Sequence, residues 1–296
     1  MAAADPMGRT NQEFWNEYAG TIYTEPWVQK ISAQVADCLS SNVQWIGFPP
    51  LPDGHDQHEP PEAKLLDYAC GFGVVSTTLF NYANVIRGID VSEFMVTGYN
   101  RRATVQLGVT PERMSAVQGN VLHGDDDDGA NPAIDGPDFW DVDAVVMTMA
   151  LHHIQDPVAL LTKLVQRLKP GGVLVVVDWL AGQSSTPLSK DVPRGHGDGP
   201  GHSNGHAHDH GHAHDHSHTH RHAHAQAGHT IARGAYYEEE LLDMFRAAGC
   251  EQNSFALRSY KESSIVPEHS SGVKGGLQTQ LFIAKARKAG DAAFRG

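Results

Sequence analysis

The sequence has few cysteines, few basic residues and no long apolar run. Its 3 cysteines in 296 residues, Cys38, Cys70 and Cys250, are too scattered for a disulfide framework or a cysteine metal site. We therefore expect reduced thiols with structural roles. No apolar run has the length of a membrane helix, and residues 1–10 lack the charged-then-apolar pattern of a signal peptide. These absences predict a soluble, cytoplasmic chain with no membrane partner.

Basic residues are the second shortage. Lysine and arginine total 22 against 35 aspartates and glutamates, so the formal net charge is −13. Such a chain repels phosphate backbones, and its 19 histidines offset that charge only at mildly acid pH. We expect no nucleic-acid partner. The length suits one large α/β domain or two small ones, and we favour one domain with an insertion.

The organising stretch is a short apolar strand followed by a glycine turn and a helical pattern. Leu65 and Leu66 close the strand, Asp67 lies at its carboxyl end, and Gly71 and Gly73 open the turn. Glycines allow a ligand to approach the backbone where a Cβ would collide, and the start of the next helix offers unpaired N–H groups. The order of strand, turn and helix is the one that a nucleotide site requires.

Glycine turns are common, and a Gly-x-Gly pair alone is more often a tight connection than a ligand site. A dinucleotide site needs a third glycine three residues on, where this chain has Thr77 or its neighbours, and no phosphate-binding lysine is present. Asp90, however, ends a second predicted strand (84–89), where an acidic side chain can accept hydrogen bonds from both ribose hydroxyls. The combination indicates an adenosine ligand without a pyrophosphate.

A pair of histidines follows the predicted central strand. Residues 143–149 form a nearly continuous apolar run, typical of a parallel strand covered on both faces. His152 and His153 come next, and ligands of open α/β sheets bind beyond the carboxyl ends of strands. Either histidine alone could simply hold the turn through a backbone hydrogen bond. For the pair we favour a catalytic role in proton transfer near pH 7, with metal binding as the other chemical option.

Histidine is concentrated in an interior tract. Thirteen of the 19 histidines lie between His196 and His229, mostly alternating with small or polar residues. The tract cannot bury enough apolar surface to offset the entropy of ordering its backbone, so we expect a disordered insertion. Imidazoles at this density bind divalent transition metals adventitiously, and a biological metal function is the less favoured alternative.

Four motifs in the same order resemble those of the class I S-adenosylmethionine-dependent methyltransferases. The segment Asp67–Gly73 (DYACGFG) resembles the glycine motif of the family, and Asp90 its ribose-binding acid. The segment Gly119–Val121 resembles the motif that meets the adenine, and Lys169–Gly172 the turn before the fifth strand. The resemblance covers residues 14–288 once the insertion is removed.

The resemblance implies a Rossmann-like α/β fold, with a seven-stranded, mostly parallel sheet, helices on both faces and S-adenosylmethionine as the cofactor. It places a tyrosine at the methionine end, a methionine against the adenine face and an amide at the adenine edge. Ala69 departs from the family, which usually has glycine there. The cofactor-binding residues implied are Tyr23, Asp67, Ala69, Cys70, Gly71, Gly73, Asp90, Val91, Met95, Asn120 and Val121.

We expect a helical cap and connector (1–62), a cofactor-binding core (63–180), the His-rich insertion (181–232) and a C-terminal completion of the same domain (233–296). The implied function is methyl transfer to an N, O or S atom of a small organic acceptor, with His152 and His153 as catalytic candidates and no catalytic metal. The pattern is similar to small-molecule methyltransferases of fungal secondary metabolism. A protein methyltransferase, a methyltransferase-like regulator and a metal-binding protein remain alternatives, because a fold does not specify a substrate.

Overall fold

The structure is a computed structural model that describes residues 5–51, 60–122, 133–182 and 227–290. Seven strands of the described chain form one sheet. They are β1 (Lys64–Tyr68), β2 (Val85–Asp90), β3 (Met114–Gln118), β4 (Val142–Thr148), β5 (Leu168–Trp179), β6 (Ala256–Val266) and β7 (Leu277–Arg287).

The strand order across the sheet is β3-β2-β1-β4-β5-β7-β6. Strands β1 to β5 pair in parallel, and β7 pairs antiparallel to both β5 and β6. The expected seven-stranded, mostly parallel sheet is confirmed. Because β1 lies between β2 and β4, the carboxyl ends of these three strands are adjacent.

Helices cover both faces of this sheet. Proline begins three of them, where its missing N–H has no intrahelical partner to lose and its φ angle already suits a helix. The described helices are α1 (Pro6–Ile22), α2 (Pro26–Ser40), α3 (Val43–Ile46), α4 (Val74–Thr78), α5 (Glu93–Arg101), α6 (Pro157–Arg167), α7 (Glu238–Ala247) and α8 (Glu268–Ser271).

The apolar core consists of two layers, one on each face of the sheet. Leu65 and Val146 belong to the layer that includes α2, whereas Leu66 and Val145 belong to the layer that includes α6 and α7. Neighbouring residues of a strand point to opposite faces of the sheet, and because both faces are covered, all four side chains are fully buried. A central strand covered on both sides therefore needs the continuous apolar run that its sequence shows.

The sequence pattern also predicts a helix over 93–107, a helix over 74–83 and a strand at 253–257, and the structure shows that these boundaries were wrong. The helix expected over 93–107 ends at Arg101 and continues as a π-helical stretch, Arg102–Gln106. The helix expected over 74–83 ends at Thr78 and is followed by a single 3₁₀ turn. The strand expected at 253–257 is instead β6, which starts at Ala256 and runs nine residues further than predicted. Edge strand β6 buries few of its side chains and is bulged, so it lacks the apolar alternation that predicts a strand.

The few cysteines and the lack of a long apolar run can be compared with the structure. Cys38, Cys70 and Cys250 are all buried and free. Among the helices of the described residues, none is long and apolar enough to cross a membrane. The predicted absence of a disulfide framework is thus confirmed for all three cysteines.

Gly88 of β2 provides a test of how closely this strand packs against β3 and the glycine turn. A Cβ at Gly88 would lie 2.8 Å from the Cβ of Ala116 and 2.8 Å from the Sγ of Cys70. Gly88→Ala should therefore lower the free energy of unfolding by about 1–3 kcal/mol, as overpacking typically does. Gly136→Ala is the control, since a Cβ there meets nothing within 4 Å. Urea denaturation that gives the two variants equal stability would contradict this packing.

Candidate active site

The glycine turn after β1 adopts left-handed backbone conformations at three positions. Ala69, Gly71 and Gly73 have φ angles of 55°, 50° and 83°. At Gly73 a Cβ would also lie 2.9 Å from the ring of Tyr99. Ala69 holds the left-handed conformation despite its Cβ, at a cost of roughly 1–2 kcal/mol relative to an unstrained residue. This strain explains why glycine suits position 69 better.

Asp90 is tied to the glycine turn by its carboxylate. Its Oδ2 accepts a hydrogen bond from the backbone N–H of Gly71 at 2.8 Å, and its Oδ1 accepts one from Ser92 at 2.9 Å. Burial raises the pKa of Asp90 to about 6, and the backbone N–H groups oppose that rise. Each carboxylate oxygen has a second lone pair. Asp90 can therefore accept one further hydrogen bond at each oxygen.

Asp67 lies beneath the same turn. Its Oδ2 accepts hydrogen bonds from Ser76, at 2.7 Å from the hydroxyl and 3.2 Å from the backbone N–H. Its Oδ1 is buried and has no hydrogen-bond partner within the described chain. Burial raises the pKa of Asp67 to about 8, against the effect of Ser76. A cationic donor at Oδ1 would satisfy this atom and favour the ionised carboxylate.

Asn120 already has hydrogen-bond partners on both atoms of its amide. Its Oδ1 accepts hydrogen bonds from the hydroxyl of Tyr68 at 3.2 Å and the backbone N–H of Leu122 at 3.0 Å. Its Nδ2 donates to Oδ2 of Asp5 at 2.9 Å. Asp5 thus holds the donor that the resemblance assigns to adenine.

The other predicted cofactor residues lie around the same strand ends. Cys70, Met95 and Val121 are buried, and burial raises the pKa of the Cys70 thiol well above its usual value. The backbone carbonyl of Val91 accepts a hydrogen bond from the side chain of Gln118 at 3.0 Å. These side chains contribute apolar surface, and the turn presents its polar groups mainly through the backbone.

Helix α1 crosses the carboxyl ends of three strands. Besides the Asp5 contact beyond β3, Asn11 Nδ2 donates to the carbonyl of His153 beyond β4 at 3.2 Å. Asn16 Oδ1 accepts from the hydroxyl of Ser92 beyond β2 at 2.8 Å. The sequence predicted a helical cap within residues 1–62, and these polar contacts were not foreseen.

An aromatic row connects the glycine turn with the histidine pair. It consists of Phe72, Tyr23, Trp15 and His153, whose successive ring centroids are 4.9, 6.4 and 5.7 Å apart. Burial, followed by the negative charge of Asp90, raises the pKa of Tyr23 well above its usual value. Tyr23 therefore stays protonated, and its hydroxyl lies beside Gly71 of the glycine turn.

The two histidines have different partners. Nδ1 of His152 lies 2.8 Å from Oδ1 of Asp178, a fully buried residue near the end of β5. Nδ1 of His153 lies 2.7 Å from the backbone carbonyl of Thr230. The ring centroids are 4.1 Å apart. Burial and the neighbouring His152 lower the pKa of His153 to about 3, so its ring is neutral at physiological pH.

Sequence reasoning missed Asp178 and Thr230 as partners of the pair. Asp178 had a usable signal, because a carboxylate at the end of the apolar run 173–177 requires a hydrogen-bond partner if it is buried. Thr230 had none, since its contribution is a backbone carbonyl 77 residues from His153.

The described residues contain no group of three or more His, Cys, Asp or Glu side chains arranged to hold a metal ion. Most of the His-rich tract, including His196, lies in the range 183–226, outside the described residues.

Comparison with known proteins identifies the class of this domain. Residues 66–174 match the family described as methyltransferase domain. This part of the chain is a methyltransferase domain. An uncharacterized methyltransferase of Schizosaccharomyces pombe is 43% identical over 119 residues, which are 40% of this chain and 39% of the yeast protein. The matched segment thus spans well under half the length of the curated relative.

Solved methyltransferases share the fold of this methyltransferase domain. Magnesium protoporphyrin IX methyltransferase of Synechocystis, with bound SAM, is 14% identical with a TM-score of 0.52, over 98% of this chain and 100% of that chain. Geranyl diphosphate C-methyltransferase of Streptomyces coelicolor is 14% identical with a TM-score of 0.53, over the same shares. At such low identity the likeness establishes the fold alone.

Asp67 gives the methyltransferase domain a pH-dependent stability. Its pKa of about 8 lies above the ordinary aspartate value of 3.8, so between those two pH values the folded chain holds a proton that the unfolded chain has lost. Stability should then fall as the pH rises, by about 1.4 kcal/mol per unit in that window. Asp67→Asn keeps the acceptor for Ser76 and removes the titration. Urea denaturation at pH 6, 7 and 8 should show a steeper loss for the wild type than for the variant, and equal slopes would contradict it.

Proposed function

We propose that the protein is an S-adenosylmethionine-dependent methyltransferase that acts on an N, O or S atom of a small organic acceptor. The observation that carries the proposal is the contact between Asp90 and the backbone of Gly71, within a methyltransferase domain. Through this contact, a carboxylate that can accept hydrogen bonds from ribose hydroxyls lies beside a glycine turn that lacks the features of a pyrophosphate site. The bound cofactor would supply an electrophilic methyl group on a sulfonium sulfur.

The residues present fit an adenosine-linked amino acid. Asp90 has a lone pair on each oxygen for a ribose hydroxyl. The partnerless Oδ1 of Asp67 suits an ammonium donor, which would also favour ionisation of that carboxylate. Backbone N–H groups of the turn from Ala69 to Gly73 would meet the carboxylate of the amino acid. Tyr23 would close the methionine end, as the resemblance implied.

Adenine would lie near the ends of β2 and β3, between the apolar surfaces of Met95 and Val121. We propose that Asn120 donates its Nδ2 hydrogen to a ring nitrogen in place of Asp5. An adenine ring nitrogen and a carboxylate oxygen are both acceptors, so one donor can serve either. Entry of the cofactor would then release the start of α1 from Asn120.

The acceptor would bind along the aromatic row, near the histidine pair. Helix α1 covers this edge of the sheet, and its contacts to three strand ends favour a small molecule over a folded macromolecule. Alignment of the acceptor with the methyl group accounts for most of the acceleration, since positioning can contribute about 7–11 kcal/mol. His152 or His153 would remove the proton that the acceptor loses.

We further propose a cytoplasmic enzyme of small-molecule secondary metabolism without a nucleic-acid partner. The support is the set of three free, buried cysteines and the net charge of −13. The resemblance to fungal secondary-metabolism methyltransferases points the same way by analogy.

The proposed function is tested with methyl-labelled S-adenosylmethionine. The full-length protein is incubated with the small-molecule fraction and, separately, the protein fraction of a cell extract, and both are analysed by mass spectrometry. We expect a labelled product in the small-molecule fraction. Label only in the protein fraction would favour the protein methyltransferase alternative. Calorimetry without measurable binding of S-adenosylhomocysteine would refute the cofactor assignment.

Asp90 offers a sharper test of the cofactor site. Asp90→Asn should weaken S-adenosylhomocysteine binding by roughly tenfold or more, because a charge-assisted hydrogen bond contributes about 1.5–3 kcal/mol. Asp90 has a pKa of about 6 in the free protein, so the loss should be largest at pH 8 and shrink as the pH falls below 6. Calorimetry at pH 5, 6, 7 and 8 measures it.

The control for this test is Asp156→Asn. Asp156 caps α6 through a hydrogen bond from Ala159, and asparagine caps a helix equally well. Binding by the control should match the wild type at every pH. A ratio of wild-type to Asp90→Asn affinity that stays near one at pH 8 would remove Asp90 from the site.

A further inference from the structure

We infer that His152 and Asp178 form a dyad in which His152 is the general base and Asp178 orients it, and that the acceptor therefore enters with a proton to lose. The inference rests on the proposed function and assigns a role to a residue outside the predicted site. Its basis is the 2.8 Å contact between Nδ1 of His152 and Oδ1 of Asp178.

The contact selects the tautomer of His152. An ionised carboxylate only accepts hydrogen bonds, so Nδ1 must carry the hydrogen, and Nε2 of the neutral ring is left with a lone pair. Asp178 is itself held in place, since its Oδ1 accepts from the backbone N–H of Trp179 at 2.7 Å and its Oδ2 from that of His152 at 3.2 Å. Within the described residues, Nε2 of His152 has no hydrogen-bond partner. It is the atom available to take a proton.

His153 lacks the partner that a base at this position requires. Its Nδ1 meets the neutral carbonyl of Thr230, which does little to stabilise an imidazolium. Its pKa is lowered to about 3, so it binds protons too weakly to serve as a base near neutral pH. Its ring instead packs edge-on against Trp15, as the last member of the aromatic row. The adjacent histidines therefore divide into a base and a packing residue.

The titratable and charged groups around the turn that carries His152 come from three elements. His153 shares its turn, and Asp178 belongs to β5. From the segment after the insertion, Tyr236 donates its hydroxyl hydrogen to the carbonyl of Leu151 at 2.8 Å. Arg233 lies over the Tyr236 ring and pairs with Glu240 of α7. Asp178 is the one carboxylate of these in direct contact with the ring, so it is the group that stabilises the imidazolium.

The proton and electron balance specifies the acceptor class. The acceptor X–H donates its lone pair to the methyl carbon, the carbon–sulfur bond breaks with its electrons on sulfur, and the proton moves from X to Nε2 of His152. The imidazolium then releases it to solvent. Hydroxyl and thiol acceptors need this transfer as the new bond forms, and an amine that enters as an ammonium ion must give up its proton before its nitrogen has a lone pair, whereas a carboxylate has no proton to lose at neutral pH. The dyad therefore favours the former group.

The test combines a direct readout of the tautomer with labelled turnover. Full-length protein labelled with ¹⁵N-histidine is examined by long-range ¹H–¹⁵N NMR, and the His152 signals are assigned by difference from His152→Gln. We expect hydrogen on Nδ1 and a bare Nε2 near neutral pH. This readout needs neither cofactor nor acceptor. Hydrogen on Nε2 instead would overturn the dyad.

The turnover arm compares three variants with methyl-labelled S-adenosylmethionine and the extract fraction that yields product. His152→Gln should lose about a hundredfold in rate, and Asp178→Asn about tenfold or more with an altered pH profile, because asparagine cannot stabilise the imidazolium. His153→Gln should lose less than either. His269→Gln on α8 is the control for histidine replacement.

Binding of S-adenosylhomocysteine separates failure of the dyad from failure of the proposed function. Each variant should bind it as the wild type does. Intact binding with rates of His152→Gln and Asp178→Asn within about threefold of wild type would refute the dyad and leave the proposed function standing. A loss in His153→Gln equal to that in His152→Gln would also overturn the assignment. If the wild type neither binds S-adenosylhomocysteine nor yields product, the proposed function itself fails, and the NMR result alone decides the tautomer.

Discussion

The structure depends on how it accommodates buried carboxylates at one edge of its sheet. Asp67, Asp90 and Asp178 lie at or near the carboxyl ends of β1, β2 and β5, and each accepts at least one backbone N–H from the segment that follows or faces it. A buried carboxylate without such donors would cost several kcal/mol. The same hydrogen bonds hold the connecting turns in place. Satisfaction of these acids thus shapes the backbone where ligands of α/β sheets bind.

The edge of the sheet divides into two environments joined by aromatic side chains. Around the glycine turn, burial disfavours the charged forms of Asp67 and Asp90 and so raises their pKa values. A ligand that donates hydrogen bonds would stabilise these charged carboxylates. Around the 3₁₀ turn after β4, one imidazole meets a carboxylate and the other a carbonyl. The rings of Trp15 and Tyr23, which come from the α1 region, lie between the two environments and connect them. The proposed binding region and the proposed proton-handling region are thus adjacent on one scaffold.

Local chemistry could be read from the sequence, whereas long-range contacts could not. The strand predicted at 84–89 is β2, shifted by one residue, and Gly71 and Gly73 have the left-handed angles that a glycine turn implies. Asp178 was passed over because the contact that gives it a role spans 26 residues. The Asn11 contact spans 142 residues and involves a backbone carbonyl, which carries no sequence signal. Periodicity identifies buried faces, but it does not say which polar side chain will meet which distant turn.

The position of α1 has a kinetic consequence. Its contacts are carried by Asp5, Asn11 and Asn16, spaced along one helix that behaves as a rod on the length scale of the site. A rod held at three points does not open by small independent steps, because displacing one end strains the contacts at the other. A molecule that entered beneath α1 would therefore have to displace the helix as a unit. Should that displacement be slower than bond formation, ligand exchange rather than chemistry would set the turnover rate.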